Sequence, residues 1–134
     1  MLRYATLLLA VLTVGTARVA LAQDPVKLSP AMYKVLLDND QVRVLEFRAK
    51  PGQSEPMHSH PAMTVYDISG GRIRLTTPDG KTEILDSKSG TAVWSAGTVH
   101  RYENVGTTET HEIIVELKNV KPVPATPTKR PDRR

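Results

Sequence analysis

Three histidines offer chemistry in this 134-residue sequence: His58 and His60, two apart, and His100 further along the chain. In an extended strand, residues i and i+2 project from the same face, so His58-Ser59-His60 aims two imidazoles at one spot. A third imidazole brought alongside by strand pairing completes a set of three nitrogen donors. Such a set suits zinc, copper, iron or nickel and leaves coordination positions for water or a substrate. The chain has no cysteine, which excludes disulfides, thiolate metal sites, iron–sulfur clusters and thiol nucleophiles. Other polar residues extend the candidate site. Glu55 precedes His58 by three residues in a proline-containing loop and is a candidate ligand or base, against the plainer reading of a solvated loop glutamate. Tyr102 shares strand parity with His100, and Tyr66 with Thr64 and His60; each hydroxyl is a candidate donor to a substrate oxygen, against the reading of a core aromatic. His111 shares parity with Ile113 and Val115 and is expected to face the interior, as a structural histidine or as one that orients a ligand. Trp94 reads as core and Asn104 as a loop anchor.

Positioning these side chains requires strands. Between Met32 and Lys118 the sequence reads as nine short β segments: Tyr33–Leu37, Val42–Ala49, Met57–His60, Thr64–Ile68, Arg72–Thr77, Thr82–Leu85, Thr91–Ser95, His100–Asn104 and His111–Leu117. Turn chemistry separates them at Asp38-Asn39-Asp40, Lys50-Pro51-Gly52, Gly70-Gly71, Pro78-Asp79-Gly80, Ser89-Gly90, Gly97 and Gly106. Alternation in Arg72-Ile73-Arg74-Leu75-Thr76 fits a sheet wetted on one side. No stretch shows a helical period. So many short strands in fewer than 90 residues imply an all-β sandwich or barrel, and a barrel can set strands distant in sequence side by side.

The ends differ from this middle. Residues 1–22 have a charged start, an apolar run from Ala5 to Val14 and an Ala20-Leu21-Ala22 ending, the layout of a secretory signal peptide cut after Ala22, or alternatively after Ala17. The run is too short and too interrupted to span a bilayer, so the mature protein is expected to be exported, periplasmic or secreted, with no membrane span. Residues 23–31 form an N-terminal extension, 32–118 the barrel, and 119–134 a proline-rich basic tail expected to be disordered. The formal charge of +4 is concentrated at the ends; residues 23–117 carry 10 bases against 13 acids. An acidic domain argues against nucleic acid as a partner.

The histidine spacing resembles the cupin superfamily. Gly52 followed by five residues and His58-Ser59-His60 is similar to the opening of the first cupin motif, with Gly70 near its closing glycine. Gly97-Thr98-Val99-His100-Arg101-Tyr102-Glu103-Asn104 is similar to the second motif from its glycine to its asparagine, with Gly90 one residue closer than usual and Ser95 where proline is expected. The resemblance covers about residues 33–118 and implies a single small β-barrel, a double-stranded β-helix of jelly-roll type. It also exposes a departure: the motif's glutamate falls on Thr64 or Val65, neither of which replaces a carboxylate. The implied ligand set is therefore His58, His60 and His100 alone, as in three-histidine members of the superfamily, around a divalent ion such as Zn, Cu, Fe, Ni or Mn.

Three neutral ligands leave the metal its full charge, favouring anionic or enolate-like ligands. The expected function is a metal-dependent enzyme on a small oxygenated metabolite, either an oxidoreductase of dioxygenase type or a lyase or isomerase. The alternative is a non-catalytic barrel that holds a metal or metabolite for sensing or storage. The resemblance further implies a homodimer.

Overall fold

A computed structural model describes residues 23–119. The signal peptide read in residues 1–22, and the tail beyond Asn119, lie outside the described residues. Nine strands follow a one-turn helix: α1 (Pro25–Leu28), β1 (Tyr33–Asp38), β2 (Val42–Ala49), β3 (His58–His60), β4 (Met63–Ser69), β5 (Gly71–Thr76), β6 (Thr82–Ser87), β7 (Ala92–Ser95), β8 (Thr98–Asn104) and β9 (Thr110–Leu117). They form two antiparallel sheets, ordered β1-β2-β9-β4-β7 and β3-β8-β5-β6. The helix corrects the expectation of no helix. Four residues are too few to show a period, but Asp24 caps the N-terminus through its side chain and Pro25 occupies the first turn, where its missing N–H costs nothing.

Strand alternation explains the packing. In β2 the inward residues Leu45, Phe47 and Ala49 are at most 1% exposed, while Val44, Glu46 and Arg48 face outward. Burying Leu45 and Phe47 contributes roughly 1.5–3 kcal/mol each. The Phe47 ring meets Tyr102 edge-on at 5.0 Å and Tyr33 at 4.9 Å, joining the two sheets through aromatic contacts. Asn39 Oδ1 accepts from the Gln41 and Val42 N–H groups at 2.8 and 2.9 Å, a side-chain turn that closes the β1–β2 hairpin. Gly70 is required for close approach: a Cβ there would lie 2.2 Å from the Ser87 carbonyl oxygen.

The outer face of the five-stranded sheet carries an apolar band beside the polar Glu46, Arg48 and His111. Register aligns Leu37, Val44, Val115, Thr64 and Trp94 in one row across all five strands, and Ile113 and Tyr66 in the next. Trp94 is 59% and Tyr66 46% exposed. Among the described residues no helix is long and apolar enough to cross a membrane.

Candidate metal centre

The antiparallel pair β3–β8 places His58 directly opposite His100, while the period of two puts His60 on the same face as His58. The three rings pack with centroids 4.6 to 5.6 Å apart, and one ring nitrogen from each falls within 4.8 Å of the others. His58 and His60 are almost wholly buried. Gly97, with φ of +119°, turns the chain into β8 just ahead of His100 in a conformation that a side chain would strain.

Hydrogen bonds fix which nitrogens face inward. His58 Nδ1–H donates to the Pro56 carbonyl at 2.9 Å, and His60 Nδ1–H donates to Glu116 Oε1 at 2.7 Å. With both Nδ1 atoms committed as donors, the two Nε2 atoms, 3.0 Å apart, turn lone pairs toward each other. Two lone pairs at that distance repel unless a proton or a metal ion is shared between them, and donors about 2.1 Å from a shared ion stand about this far apart. His100 Nδ1 pairs with Thr98 Oγ1 at 3.3 Å, leaving its other nitrogen for the same purpose. The residues therefore fit a divalent metal. Burial, followed by its imidazole neighbours, lowers the His100 pKa to about 3, and burial likewise lowers that of His58; both stay in the neutral form that ligates.

A chain of charges braces His60. Arg43 Nε donates to Glu116 Oε2 at 2.6 Å and Arg43 Nη1 reaches Asp24 at 3.1 Å. Burial would raise the Glu116 carboxyl, but hydrogen bonds from His60 and Arg43 outweigh it and hold the group below its ordinary range. Ser59 N–H donates to the Gln23 carbonyl at 3.0 Å, so the segment before β1 supports the His58–His60 strand directly.

The triad opens on a cavity of about 470 Å³ whose walls include His60, His100, Phe47, Tyr102, Ile114 and Glu112. Glu55 lines it and is 1% exposed, which corrects the solvated-loop reading. Its N–H donates to the Tyr102 carbonyl at 2.9 Å and pulls the loop inward. Oε2 accepts from the Tyr33 hydroxyl at 3.1 Å and stands 3.9 Å from His58 Nε2, while Oε1 has no hydrogen-bond partner among the described residues. Burial raises the Glu55 pKa to about 7. Tyr102 also lines the cavity, its hydroxyl 2.6 Å from Thr110 Oγ1.

Tyr66 faces away, on the outer sheet surface. Pro61 and Ala62 turn the corner between β3 and β4, so parity does not carry from His60 to Tyr66; Met63, Val65 and Asp67 point inward instead. His111 is corrected for a related reason. The buried face of β9 is Thr110, Glu112, Ile114 and Glu116, and His111 lies on the other, its Nε2–H donating to Glu46 Oε1 at 2.8 Å. The apolar outer residues Ile113, Val115 and Leu117 mimic a core face in the sequence. Trp94 is likewise outside and not core. Asn104 is buried, its amide bonding the Ala49 and Thr108 carbonyls at 2.8 Å. Glu116, Glu112, Asp67 and Tyr33 are site residues that sequence reasoning missed. The available signal was that polar His58 and His60 face inward, so polar residues at alternate positions of other strands can do the same.

No family model and no curated protein matches the sequence. Solved structures do resemble the fold. A cupin domain from Bordetella pertussis Tohama I is 28% identical, with 65% of this chain aligned to 92% of that one at a TM-score of 0.60. A cupin-family protein of RmlC-like double-stranded β-helix fold from Methanocaldococcus jannaschii is 18% identical over 63% and 77% of the two chains, with a TM-score of 0.52. The polyketide cyclase RemF from Streptomyces resistomycificus shares the fold at 24% identity, 65% and 64% coverage and a TM-score of 0.50. The chain has the cupin fold.

Proposed function

We propose that this cupin barrel binds one divalent metal ion through His58, His60 and His100 and uses it on a small oxygenated molecule held in the cavity. The observation that carries this reading is the pair of Nε2 atoms 3.0 Å apart, each fixed as a lone-pair donor by the hydrogen bond its other nitrogen makes. When bound, the ion supplies Lewis-acid or redox chemistry, giving a lyase or isomerase in one case and a dioxygenase in the other. The chain's own residues set the rest. Glu116 orients His60, Glu55 beside His58 holds or releases a proton near neutral pH, and Phe47 and Ile114 keep water from the cavity wall. Tyr102 offers its hydroxyl, shared with Thr110, to a ligand oxygen. The test is elemental analysis of the mature protein purified from its native compartment, with His100→Ala as control. Near-stoichiometric metal lost in the variant is expected; equal metal content in both overturns the reading.

A non-catalytic binding role is favoured by one observation, the Glu55 carboxylate 3.9 Å from His58. If that group closes the coordination sphere, X-ray absorption of the loaded protein will show a fourth protein ligand that Glu55→Gln removes.

Export of the mature chain is part of the same proposal and favours zinc or copper over iron in the site, following the affinity order of divalent metals; mostly iron in the natively purified protein would overturn that choice. A homodimer is proposed through the outer sheet face, where the Trp94 row is wider and more apolar than a solvated sheet surface needs. Sedimentation of wild type against Trp94→Glu tests it, with a shift to monomer expected and an unchanged mass overturning it.

A further inference from the structure

The cavity has a second polar end. Glu112 and Asp67 are register partners on β9 and β4, both inward and both lining the cavity. Glu116, which serves the histidines, pairs with Met63 at the other end of the same two strands. The two ends are thus four residues apart, about 13 Å of strand. Between them the walls are Phe47, Val65, Ile73 and Ile114.

Glu112 is 7% exposed and Asp67 4%. Asp67 has a distant hydrogen bond from Thr91 Oγ1 at 3.4 Å, and the Ser87 hydroxyl also stabilises its charged form. The Glu112 side chain has no hydrogen bond or ion pair among the described residues. The Glu112 carboxyl opens on the cavity and is not among the fully enclosed unpaired groups, so with no protein partner it takes its hydrogen bonds from whatever fills the cavity. Burial, then the neighbouring Asp67 and Glu55, push the Glu112 pKa up to about 8, and burial raises that of Asp67. At neutral pH the Glu112 carboxyl is therefore a proton donor, and a negative group would find no counter-charge beside it.

We propose that Glu112 and Asp67 form a recognition site for a carbonyl or hydroxyl oxygen on a neutral, largely apolar ligand whose opposite end lies toward the histidines. This deepens the proposed function by naming a ligand class. It rests on the cavity being the ligand site, but the oxygen contact itself needs no metal.

The probes are 2-acetonaphthone and 2-naphthoate, which share one bicycle and differ in a neutral ketone against a carboxylate. Both are titrated into full-length protein, metal-loaded and chelator-treated, and the bound ketone's C=O stretch is read by infrared difference spectroscopy. The ketone should bind both forms with its stretch shifted to lower frequency, and the naphthoate should bind roughly tenfold or more weaker at pH 7. Glu112→Gln, which keeps an N–H donor, should hold ketone affinity within about threefold, whereas Glu112→Leu should lose about tenfold and abolish the shift. An unshifted stretch in wild type, naphthoate binding as tightly as ketone, or equal ketone affinity in Glu112→Leu overturns the proposal. If the leucine variant fails to fold, Tyr102→Phe takes its place: a shift that persists there supports Glu112 as the donor, and one that vanishes overturns the proposal. A protein that takes up no metal when offered it, yet binds ketone through Glu112, overturns only the metal reading; a metal-loaded protein that ignores the ketone overturns only this one.

Discussion

Glu116 and Glu112 sit four residues apart on the same face of β9 and end up in opposite states. Glu116 accepts from His60 and Arg43 and is held ionised; Glu112 has neither partner and is pushed toward its neutral form. Residue type, strand and orientation are shared, so the difference comes from what each carboxyl meets. At the histidine end a negative charge is useful, because it fixes an imidazole tautomer and strengthens that nitrogen as a ligand. At the far end, charge is disfavoured and hydrogen-bond donation takes its place.

The comparison breaks most severely at the histidine end. His60→Ala is expected to cost at least roughly a hundredfold in metal affinity, measured by chelator competition; wild-type affinity would remove the histidine end from the argument. Glu116→Gln leaves all three imidazoles and should cost roughly 10–100-fold in the same assay, because the His60 N–H then faces a neutral amide. An unchanged affinity would make Glu116 a bystander.

At the far end, pH sharpens the contrast. With a folded pKa near 8 against an ordinary value of 4.5, Glu112 keeps a proton in the folded chain that the unfolded chain releases between those values. Its contribution to stability is full below about pH 4.5 and declines as pH rises toward 8. Glu112→Gln should thus match wild type near pH 4 and exceed it by on the order of 5 kcal/mol at pH 9, read from urea unfolding at both pH values. A constant difference would show that Glu112 does not titrate in this way. The smallest effect is at the boundary between the ends: Tyr102→Phe removes the hydroxyl that meets Thr110 and should cost about 1 kcal/mol by the same method, with metal affinity unaltered.

Much of this was legible beforehand. His-x-His spacing in an extended segment requires two imidazoles on one face, and the turn residues between apolar stretches mark out the strands. The missing motif glutamate was also visible, since Val65 and Thr64 are unmistakably not acids. Parity across corners was not. Nothing in the sequence shows that Pro61-Ala62 resets the alternation ahead of Tyr66, or that β9 turns its apolar residues outward and its glutamates in. That inversion depends on the opposite sheet, which offers imidazoles and an enclosed space to the acidic face. Glu55 was hidden for a similar reason: its burial comes from a backbone bond to Tyr102, a partner remote in sequence.

The salt link from Asp24 through Arg43 to Glu116 carries a practical warning for anyone trimming this molecule. A fusion joined at Tyr33, or a protease nick just ahead of it, would preserve each strand and all three imidazoles. It would nonetheless discard Asp24 and the Gln23 carbonyl, leaving Arg43 held by Glu116 alone and the Ser59 N–H without its backbone partner, so the strand that carries His58 and His60 loses its brace. Such a shortened protein would look correctly folded while holding its histidine strand less firmly, and the fault would be blamed on residues that were never touched.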